Sequence, residues 1–233
     1  MYAVITGATK GIGKALALTF AKQGFNLALC ARTKSELQLL KSSLIRQFPN
    51  LNIISMPLDI ANKEEALAFG KLIGQEFPQV DVLINNAGLY VTHPILQEPD
   101  GLLEQMMAVN VYGPYHLTRS LLPNMMQRKQ GHIFNICSVA SFKAFENCTA
   151  YTTSKHAMYG LSRSLREELK LHNIKVTGVL PGAVYTASWE TADVNQRRLM
   201  SPDDIAQAVW ACYQLSERTV VEDIILRPMM GDF

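Results

Sequence analysis

Short apolar runs alternate along the chain with longer stretches in which apolar residues recur at helical spacing. The first run covers residues 2–6, and Ala15, Leu16 and Phe20 mark the apolar face of the helix that follows it. The same pattern predicts further strands near residues 27–31, 52–56, 82–84, 132–137, 174–180 and 222–227. Strands that alternate with helices in this way form parallel sheets with helices on both faces. We therefore predict a single α/β domain over residues 1–233, built on a doubly wound, parallel, seven-stranded sheet.

Composition and charge restrict the class of protein. The chain has 233 residues, of which 48% are hydrophobic and 18% are charged, and its formal net charge is +2. This balance suits a packed globular protein and gives no field strong enough to predict nucleic-acid binding. The chain enters a strand at once and lacks an apolar run of about 18 residues, so we expect no signal peptide, no membrane association and a cytoplasmic location. The four cysteines and five histidines lack metal-ligand spacing, which predicts free thiols and no metal site.

A glycine-rich turn joins the first strand to the first helix, where Gly7, Gly11 and Gly13 have the spacing GxxxGxG. A strand, a glycine turn and a helix N-terminus form a cradle for a diphosphate, because the backbone can approach the ligand and the helix end carries partial positive charge. A nucleotide-triphosphatase loop is the rival interpretation. It needs four residues between its first Gly and the Gly–Lys pair and a Ser or Thr after the Lys, whereas this chain has five, and Ala15 follows Lys14. The turn therefore predicts a dinucleotide site.

The end of the second strand predicts which nicotinamide cofactor is bound. An Asp or Glu at this position would hold the adenosine ribose hydroxyls of NAD. This chain has Ala31 and then Arg32, with Lys10 in the glycine turn, and these cations suit the 2′-phosphate of NADP. We predict NADP(H), against the alternative that both cations are solvated surface charges. Thr33 and Glu36 have the spacing of a capping box for the next helix.

Polar and small residues follow the third and fourth strands at the predicted carboxyl edge of the sheet. Asp59 and Ile60 follow the third strand, and Asn86, Ala87 and Gly88 follow the fourth. Ligands of open parallel sheets bind at that edge, so we expect these residues at the site. The alternative is that they only end their strands.

A long, apolar helical segment is predicted over residues 102–122, with the polar Asn110 in its interior. Asn within a helix competes for backbone hydrogen bonds, so it either disturbs the helix for a purpose or lowers stability. The segment also carries large apolar residues that predict a surface buried in a homodimer or homotetramer, with packing inside the monomer as the alternative. These residues are Met106, Met107, Val111, Tyr112 and Tyr115.

A tyrosine and a lysine one helical turn apart are the candidate catalytic pair. Tyr151 and Lys155 lie on one face of the predicted helix, and Ser138 follows the fifth strand. A phenol is a poor acid and base at neutral pH, but a fixed cation beside it favours the phenolate and lowers its pKa. A hydrogen bond from Ser138 to the same substrate oxygen would assist. An ordinary surface pair is the alternative for Tyr151 and Lys155 alone.

The C-terminal part predicts a turn, a lid and a tail. The sixth strand ends at Pro181, and Thr186 closes the turn that follows. Residues 187–200 hold Trp189 and few other apolar residues, which predicts a mobile lid. Asp232 lies next to the last residue.

With these motifs in place, the chain resembles the short-chain dehydrogenase/reductase family over nearly its full length. The resemblance rests on TGATKGIG, the Asp59-Ile60 pair, NNAG, Asn110, Ser138, the YTTSK segment and PGAVYT, which occur in that family's order and spacing. It implies a Rossmann fold and an NADP-dependent oxidoreductase that transfers hydride to a carbonyl carbon. Residues 1–130 would mainly bind the cofactor, and residues 131–233 would mainly supply the catalytic and substrate-binding groups.

The resemblance also implies a role for individual residues. Tyr151 would be the acid/base, Lys155 would lower its pKa and bind the nicotinamide ribose, and Ser138 would orient the carbonyl. Asn110 would hold a water that relays protons to Lys155. The residues implied to contact the cofactor are Gly7, Thr9, Lys10, Gly11, Ile12, Gly13, Arg32, Asp59, Ile60, Asn86, Ala87, Gly88, Tyr151, Lys155, Pro181, Gly182, Val184 and Thr186.

Within the family, residues 181–189 and 218–232 look most like the sepiapterin reductases. That likeness implies that Ser138, Tyr151, Trp189 and Asp232 bind the substrate, with the Asp232 carboxylate anchoring a pterin ring. A 3-oxoacyl-[acyl-carrier-protein] reductase or a general carbonyl reductase is the first alternative. A non-catalytic NADP-binding regulator is the second, although such proteins usually lose the Tyr or the Lys, and both are present here.

Overall fold

The computed structural model describes residues 1–186, 195 and 198–231. Its strands are β1 (Tyr2–Thr6), β2 (Asn26–Ala31), β3 (Ile53–Pro57), β4 (Val82–Asn85), β5 (Gly131–Ile136), β6 (Ile174–Pro181) and β7 (Asp223–Leu226). They form one seven-stranded sheet in the order β3-β2-β1-β4-β5-β6-β7, and every neighbouring pair is parallel. The predicted sheet is confirmed, and each strand lies close to its predicted position.

Helices cover both faces of this sheet. They are α1 (Gly11–Lys22), α2 (Lys34–Gln47), α3 (Lys63–Glu76), α4 (Leu102–Met107), α5 (Gly113–Arg128), α6 (Thr149–Leu169) and α7 (Pro202–Tyr213). Across the part of the chain that the structure describes, none of the helices combines the length and the apolar character needed to cross a bilayer.

The two faces of the sheet have separate hydrophobic cores because successive side chains of a strand point to opposite sides. Ile5 of β1 packs in the core formed with α1, α2 and α7. Its neighbour Val4 packs in the core formed with α3, α5 and α6. Phe20 and Phe69, one in each core, are fully buried, and burial of side chains of this size contributes roughly 1.5 to 3 kcal/mol each. This packing fixes the sheet edge on which the site is built.

The strand order reverses direction at β1, which places a crevice at the carboxyl edge of the sheet. The chain first moves outward from β1 to β2 and β3, and then returns to pair β4 on the other side of β1. The helices that follow β1 and β4 therefore lead away in opposite directions. Open α/β sheets bind their ligands at this switch point.

The long helix predicted over residues 102–122 is interrupted. α4 ends at Met107, a π-helical turn covers Ala108–Tyr112, and α5 begins at Gly113. Asn110 lies inside the π-helical turn, so it does disturb the helix, and such turns are frequent at functional sites. The predicted helical segment is confirmed, and of the two alternatives for Asn110 the structure shows the disturbed helix.

The apolar residues of this segment do not form one exposed surface. Met106 is fully buried within the chain and Val111 is 9% exposed, whereas Tyr112 is 51% exposed and Tyr115 is 38% exposed. Of the five residues named for the predicted subunit contact, Tyr112 and Tyr115 are the exposed ones, so we keep the contact as a prediction for these two tyrosines.

Candidate active site

The glycine turn between β1 and α1 lies against the loop that follows β4. Gly7 has a φ of +64°, and a Cβ built on it would lie 2.8 Å from Cα of Ala87. Gly11 has a φ of +48°, and its Cβ would lie 2.7 Å from Cγ2 of Thr186. Neither position has the space or the backbone conformation for a side chain. The turn therefore needs glycine at both positions, and both glycines line the cavity at the N-terminus of α1.

Asn86 holds this turn in place. Its side-chain amide donates to the carbonyl oxygens of Thr6 at 2.9 Å and Gly7 at 3.1 Å. The hydroxyl of Thr6 accepts in turn from the backbone N–H groups of Asn86 and Ala87, at 3.0 and 2.9 Å. Both N–H groups of the Asn86 carboxamide are thus bonded to the turn, so this side chain shapes the site.

A cavity of about 740 Å³ runs along the carboxyl edge of the sheet from the glycine turn to α6. It brings together nearly all the site residues predicted from the sequence. They are Gly7, Thr9, Lys10, Gly11, Ile12, Gly13, Arg32, Asp59, Ile60, Asn86, Ala87, Gly88, Ser138, Tyr151, Lys155, Pro181, Gly182, Val184 and Thr186. Trp189 and Asp232 lie outside the described residues, as does most of the predicted lid. Asn110 is described, but it lies behind the cavity wall and is 2% exposed.

Tyr151 lies in the first turn of α6, and its environment keeps the phenol protonated. Burial raises the pKa of Tyr151 to about 12, opposed by a hydrogen bond from the Ser138 hydroxyl. Ser138 is itself fixed, because its Oγ accepts from the backbone N–H of Ala140 at 3.1 Å. The two hydroxyl groups therefore face the cavity side by side.

The ammonium of Lys155 is close to Tyr151 but is engaged elsewhere. Its Nζ lies 5.8 Å from the centre of the Tyr151 ring and donates to the carbonyl oxygen of Ile136 at 3.0 Å. Lys155 is 5% exposed, and burial lowers its pKa. Burial is the largest influence on the pKa of Tyr151, and the Lys155 ammonium is bonded to Ile136, so the effect of Lys155 on this pKa stays a prediction.

Asn110 connects the π-helical turn to α6 and to the loop after β4. Its carboxamide nitrogen donates to the carbonyl oxygen of Leu89 at 3.1 Å and to Oγ of Ser154 at 2.9 Å. Its oxygen accepts from the N–H of Leu89 at 2.8 Å. A Cβ on Gly88 would lie 3.4 Å from this oxygen and 3.6 Å from Nζ of Lys155, so both polar atoms flank Gly88. Asn110 is thus a buried connector beside Lys155.

The end of the cavity near β2 differs from expectation in one respect. Arg32 is exposed and lines the cavity, as predicted. Thr33 precedes α2 but makes no side-chain capping bond, so the capping box is wrong. Glu36 instead forms an ion pair with Lys10, with Nζ and Oε1 2.9 Å apart, because the fold brings the glycine turn next to α2. The cavity therefore contains an acidic group beside Lys10, one of its two predicted phosphate-binding cations.

Several cavity residues have no motif that would identify them in the sequence. Tyr90, Phe145, Glu146 and Cys148 line the cavity near Tyr151. Tyr90 could be identified from the sequence only by its position, because it follows Gly88 in a loop that leaves the carboxyl edge of the sheet. An aromatic residue at such a position is a candidate for substrate contact.

Comparisons with known proteins agree with this geometry. The family described as "short chain dehydrogenase" matches residues 1–197. An uncharacterized oxidoreductase of Staphylococcus aureus (strain N315) is 31% identical over 227 residues, which cover 97% of this chain and 96% of the relative. The structure of an alcohol dehydrogenase from the archaeon Thermococcus sibiricus, complexed with 5-hydroxy-NADP, is 27% identical with a TM-score of 0.91 over 98% of this chain and 96% of that chain. The structure of L-sorbose reductase from Gluconobacter frateurii, complexed with NADPH and L-sorbose, is 26% identical with a TM-score of 0.89 over 97% and 95%.

Proposed function

The chain belongs to the short chain dehydrogenase family of nicotinamide-dependent oxidoreductases acting on CH–OH and C=O groups, and on that premise we propose that it reduces a carbonyl substrate with NADPH. One observation carries the proposal: the hydroxyl groups of Tyr151 and Ser138 share a cavity with the open glycine turn. A hydrogen-bonded pair of hydroxyls next to a cofactor cradle suits polarisation and protonation of a carbonyl oxygen.

The residues of this chain have distinct proposed roles in that reaction. When bound, the nicotinamide supplies the hydride that adds to the carbonyl carbon. Tyr151 delivers its phenolic proton to the carbonyl oxygen as negative charge develops there, and Ser138 donates a hydrogen bond to the same oxygen. Lys155 provides a buried positive charge that stabilises the resulting phenolate until Tyr151 is protonated again.

We assign a dinucleotide to this cavity. The backbone at Gly7 and Gly11 and the N-terminus of α1 line the cavity, and their N–H groups suit the diphosphate. Asp59 and Ile60 are assigned to the adenine end, and Thr186 to the carboxamide end. We propose that residues 1–130 mainly bind the cofactor and that residues 131–233 mainly supply the chemistry.

The phosphorylated cofactor is favoured over NAD because of the residues at the end of β2. Ala31 supplies no carboxylate for the ribose hydroxyls, and Arg32 brings a guanidinium to the cavity. The Thermococcus sibiricus and Gluconobacter frateurii structures hold 5-hydroxy-NADP and NADPH, which supports the same assignment.

A pterin ketone is the narrower substrate class that the tail resemblance implies. It depends on Asp232 and Trp189, which lie outside the described residues. The general carbonyl reductase is the broader interpretation, and it requires only the cavity residues. Replacement of Asp232 by Asn separates the two: it should raise KM for sepiapterin and leave KM for a small diketone unchanged if the pterin assignment is right.

The test follows NADPH oxidation by the purified protein against 2,3-butanedione, an acetoacetyl thioester and sepiapterin. Turnover of one or more of these is expected. The control is Tyr151→Phe, which keeps the ring and removes the proton, so it should nearly abolish turnover while NADPH binding persists. Substantial turnover by Tyr151→Phe would exclude Tyr151 as the proton donor.

A further inference from the structure

The segment that follows β4 is attached to the beginning of α6 by hydrogen bonds. The backbone N–H of His93 donates to the carbonyl oxygen of Asn147 at 2.9 Å. The backbone N–H of Ala150, at the start of α6, donates to Oε1 of Glu98 at 3.2 Å. These bonds connect the two chain segments that meet above Tyr151, so the segment after β4 has a fixed position relative to the proposed proton donor.

A second set of bonds fixes the part of this segment nearest Tyr151. The Asn110 carboxamide binds both the N–H and the carbonyl oxygen of Leu89, and it also donates to Ser154. The Ser154 hydroxyl in turn donates to the carbonyl oxygen of Tyr151 at 2.8 Å. One buried side chain therefore aligns Leu89 with the first turn of α6.

Tyr90 directly follows Leu89, and its ring contacts the ring of Tyr151. The two ring centres are 4.7 Å apart, and the ring planes meet at 83°, which is a favourable edge-to-face geometry. The side chain of Cys148, three residues before Tyr151, lies near Tyr90 and contributes, after burial, to raising the pKa of Tyr90 to about 12. The backbone bonds of Leu89 and the contact with the Tyr151 ring therefore define the position of the Tyr90 ring.

We propose that Tyr90 is a positioning residue for Tyr151: its ring holds the phenol of the proton donor at the angle needed to reach the substrate oxygen and keeps water away from it. This inference rests on the proposed function, since it concerns the same proton transfer. Proton transfer from a badly oriented Tyr151 would be slower, because the rate gained from proximity depends on the orientation of the reacting groups.

Two simpler roles for Tyr90 predict different results. As a wall of the substrate pocket, Tyr90 would change KM for the carbonyl substrate and leave kcat unchanged. As ordinary packing, its replacement would lower stability and leave the kinetics of the folded enzyme unchanged. As a positioning residue, its replacement lowers kcat and changes the ionisation of Tyr151.

The kinetic experiment compares Tyr90→Leu with Tyr90→Phe in full-length protein, using NADPH and 2,3-butanedione. Tyr90→Leu removes the ring contact, so kcat should fall about three- to tenfold, with KM and NADPH affinity within about twofold of wild type. Tyr90→Phe keeps the ring and should retain most of kcat. A rise in KM with unchanged kcat, or equal losses in the two variants, would overturn the proposal.

The second experiment needs no substrate. Tyrosine ionisation is followed by ultraviolet absorbance during an alkaline titration, and the Tyr151 signal is the difference between each protein and its Tyr151→Phe counterpart. Burial raises the pKa of Tyr151 from 10.0 to about 12, and the Tyr90 ring supplies part of that burial. Tyr90→Leu should therefore shift the Tyr151 ionisation to lower pH, while Tyr90→Phe should shift it much less.

The groups that face Tyr151 and contribute to this ionisation are Ser138, Tyr90, Cys148, Cys137 and Lys155. All of these groups except Tyr90 are the same in the wild type and in Tyr90→Leu. A shift of the Tyr151 ionisation is therefore assigned to the loss of the Tyr90 ring. An unchanged Tyr151 ionisation in Tyr90→Leu would refute the positioning role, whether or not the protein reduces any carbonyl. Absence of turnover in the wild type with a shifted ionisation would instead refute the proposed function and leave the ring contact established.

Discussion

The pair of substitutions Arg32→Ala and Glu36→Gln tests how the cavity selects its cofactor. Arg32 is exposed at the cavity end near β2, and Lys10 lies there in an ion pair with Glu36. A 2′-phosphate bound at this end would gain from Arg32 and would compete with Glu36 for Lys10. The two substitutions should therefore change NADPH affinity in opposite directions.

The expected magnitudes follow from exposure and charge. A hydrogen bond to a charged group contributes about 1.5 to 3 kcal/mol, and the lower value suits a solvated guanidinium, so Arg32→Ala should weaken NADPH binding about tenfold. The Lys10–Glu36 pair has side chains 60% and 34% exposed. Ion pairs of this kind are worth about 0 to 1 kcal/mol, so Glu36→Gln should strengthen NADPH binding by no more than about fivefold.

The assay is calorimetric titration with 2′,5′-ADP and with 5′-AMP, which differ only in the 2′-phosphate. The wild type should prefer 2′,5′-ADP, and NADPH over NADH, by one to three decades. Binding of 5′-AMP is the internal control, since neither substitution should change it by much. Added salt should reduce the preference because the groups are exposed.

Three results would refute this reasoning. Equal affinities of the wild type for 2′,5′-ADP and 5′-AMP would show that Arg32 and Lys10 do not bind the phosphate. Weaker binding of 2′,5′-ADP by Glu36→Gln would show that Glu36 assists the site, for example by orienting Lys10. Similar losses for both nucleotides in Arg32→Ala would show a general distortion of the turn.

Three further predictions test the catalytic cation, the acid sensitivity and the subunit contact. Lys155→Met should lower kcat and weaken NADPH binding together, whereas a purely kinetic defect would contradict the proposed ribose contact. Burial, aided by the positive charge of Lys175, lowers the pKa of His132 from 6.5 to about 3. As the pH falls, His132 therefore takes up its proton in the unfolded state before it does so in the folded state. The free energy of unfolding, measured with urea, should fall by up to about 1.4 kcal/mol per pH unit below pH 6.5, and His132→Gln should reduce this slope. Tyr112→Asp together with Tyr115→Asp should lower the mass measured by light scattering from that of a homodimer or homotetramer, and a wild-type mass equal to one chain at all concentrations would contradict the contact.

The sheet and the loops that line the cavity could be predicted because both depend on the local pattern of apolar and polar residues. The strands are short apolar runs, and residues that follow parallel strands must meet at the same edge of the sheet. The sequence alone therefore predicts that residues as far apart as Gly7 and Thr186 line one cavity. Helices α1 and α6 could be predicted equally well, because their apolar residues recur at regular helical spacing.

Contacts between residues far apart in sequence could not be predicted in the same way. Glu36 has the spacing of a capping residue, but it bonds to Lys10 because the turn after β1 lies next to α2. Tyr90 carries no motif, and its importance appears only when its ring is seen against Tyr151. The π-helical turn was indicated only by a polar residue at an apolar position, and Asn110 explains it through bonds to Leu89 and Ser154. In each case, a tertiary partner decides between two locally acceptable conformations.

The balance between burial and the Lys155 charge bears on the direction of the reaction. Sequence reasoning stressed the cation beside Tyr151, whereas burial raises the pKa of this phenol to about 12 and the Lys155 ammonium donates to the Ile136 carbonyl oxygen. A phenol with that pKa carries its proton throughout the neutral range. Reduction of a carbonyl requires a protonated Tyr151, while oxidation of an alcohol requires the phenolate. The buried phenol is therefore suited to donate a proton, and we propose that Lys155 stabilises the phenolate which that transfer leaves.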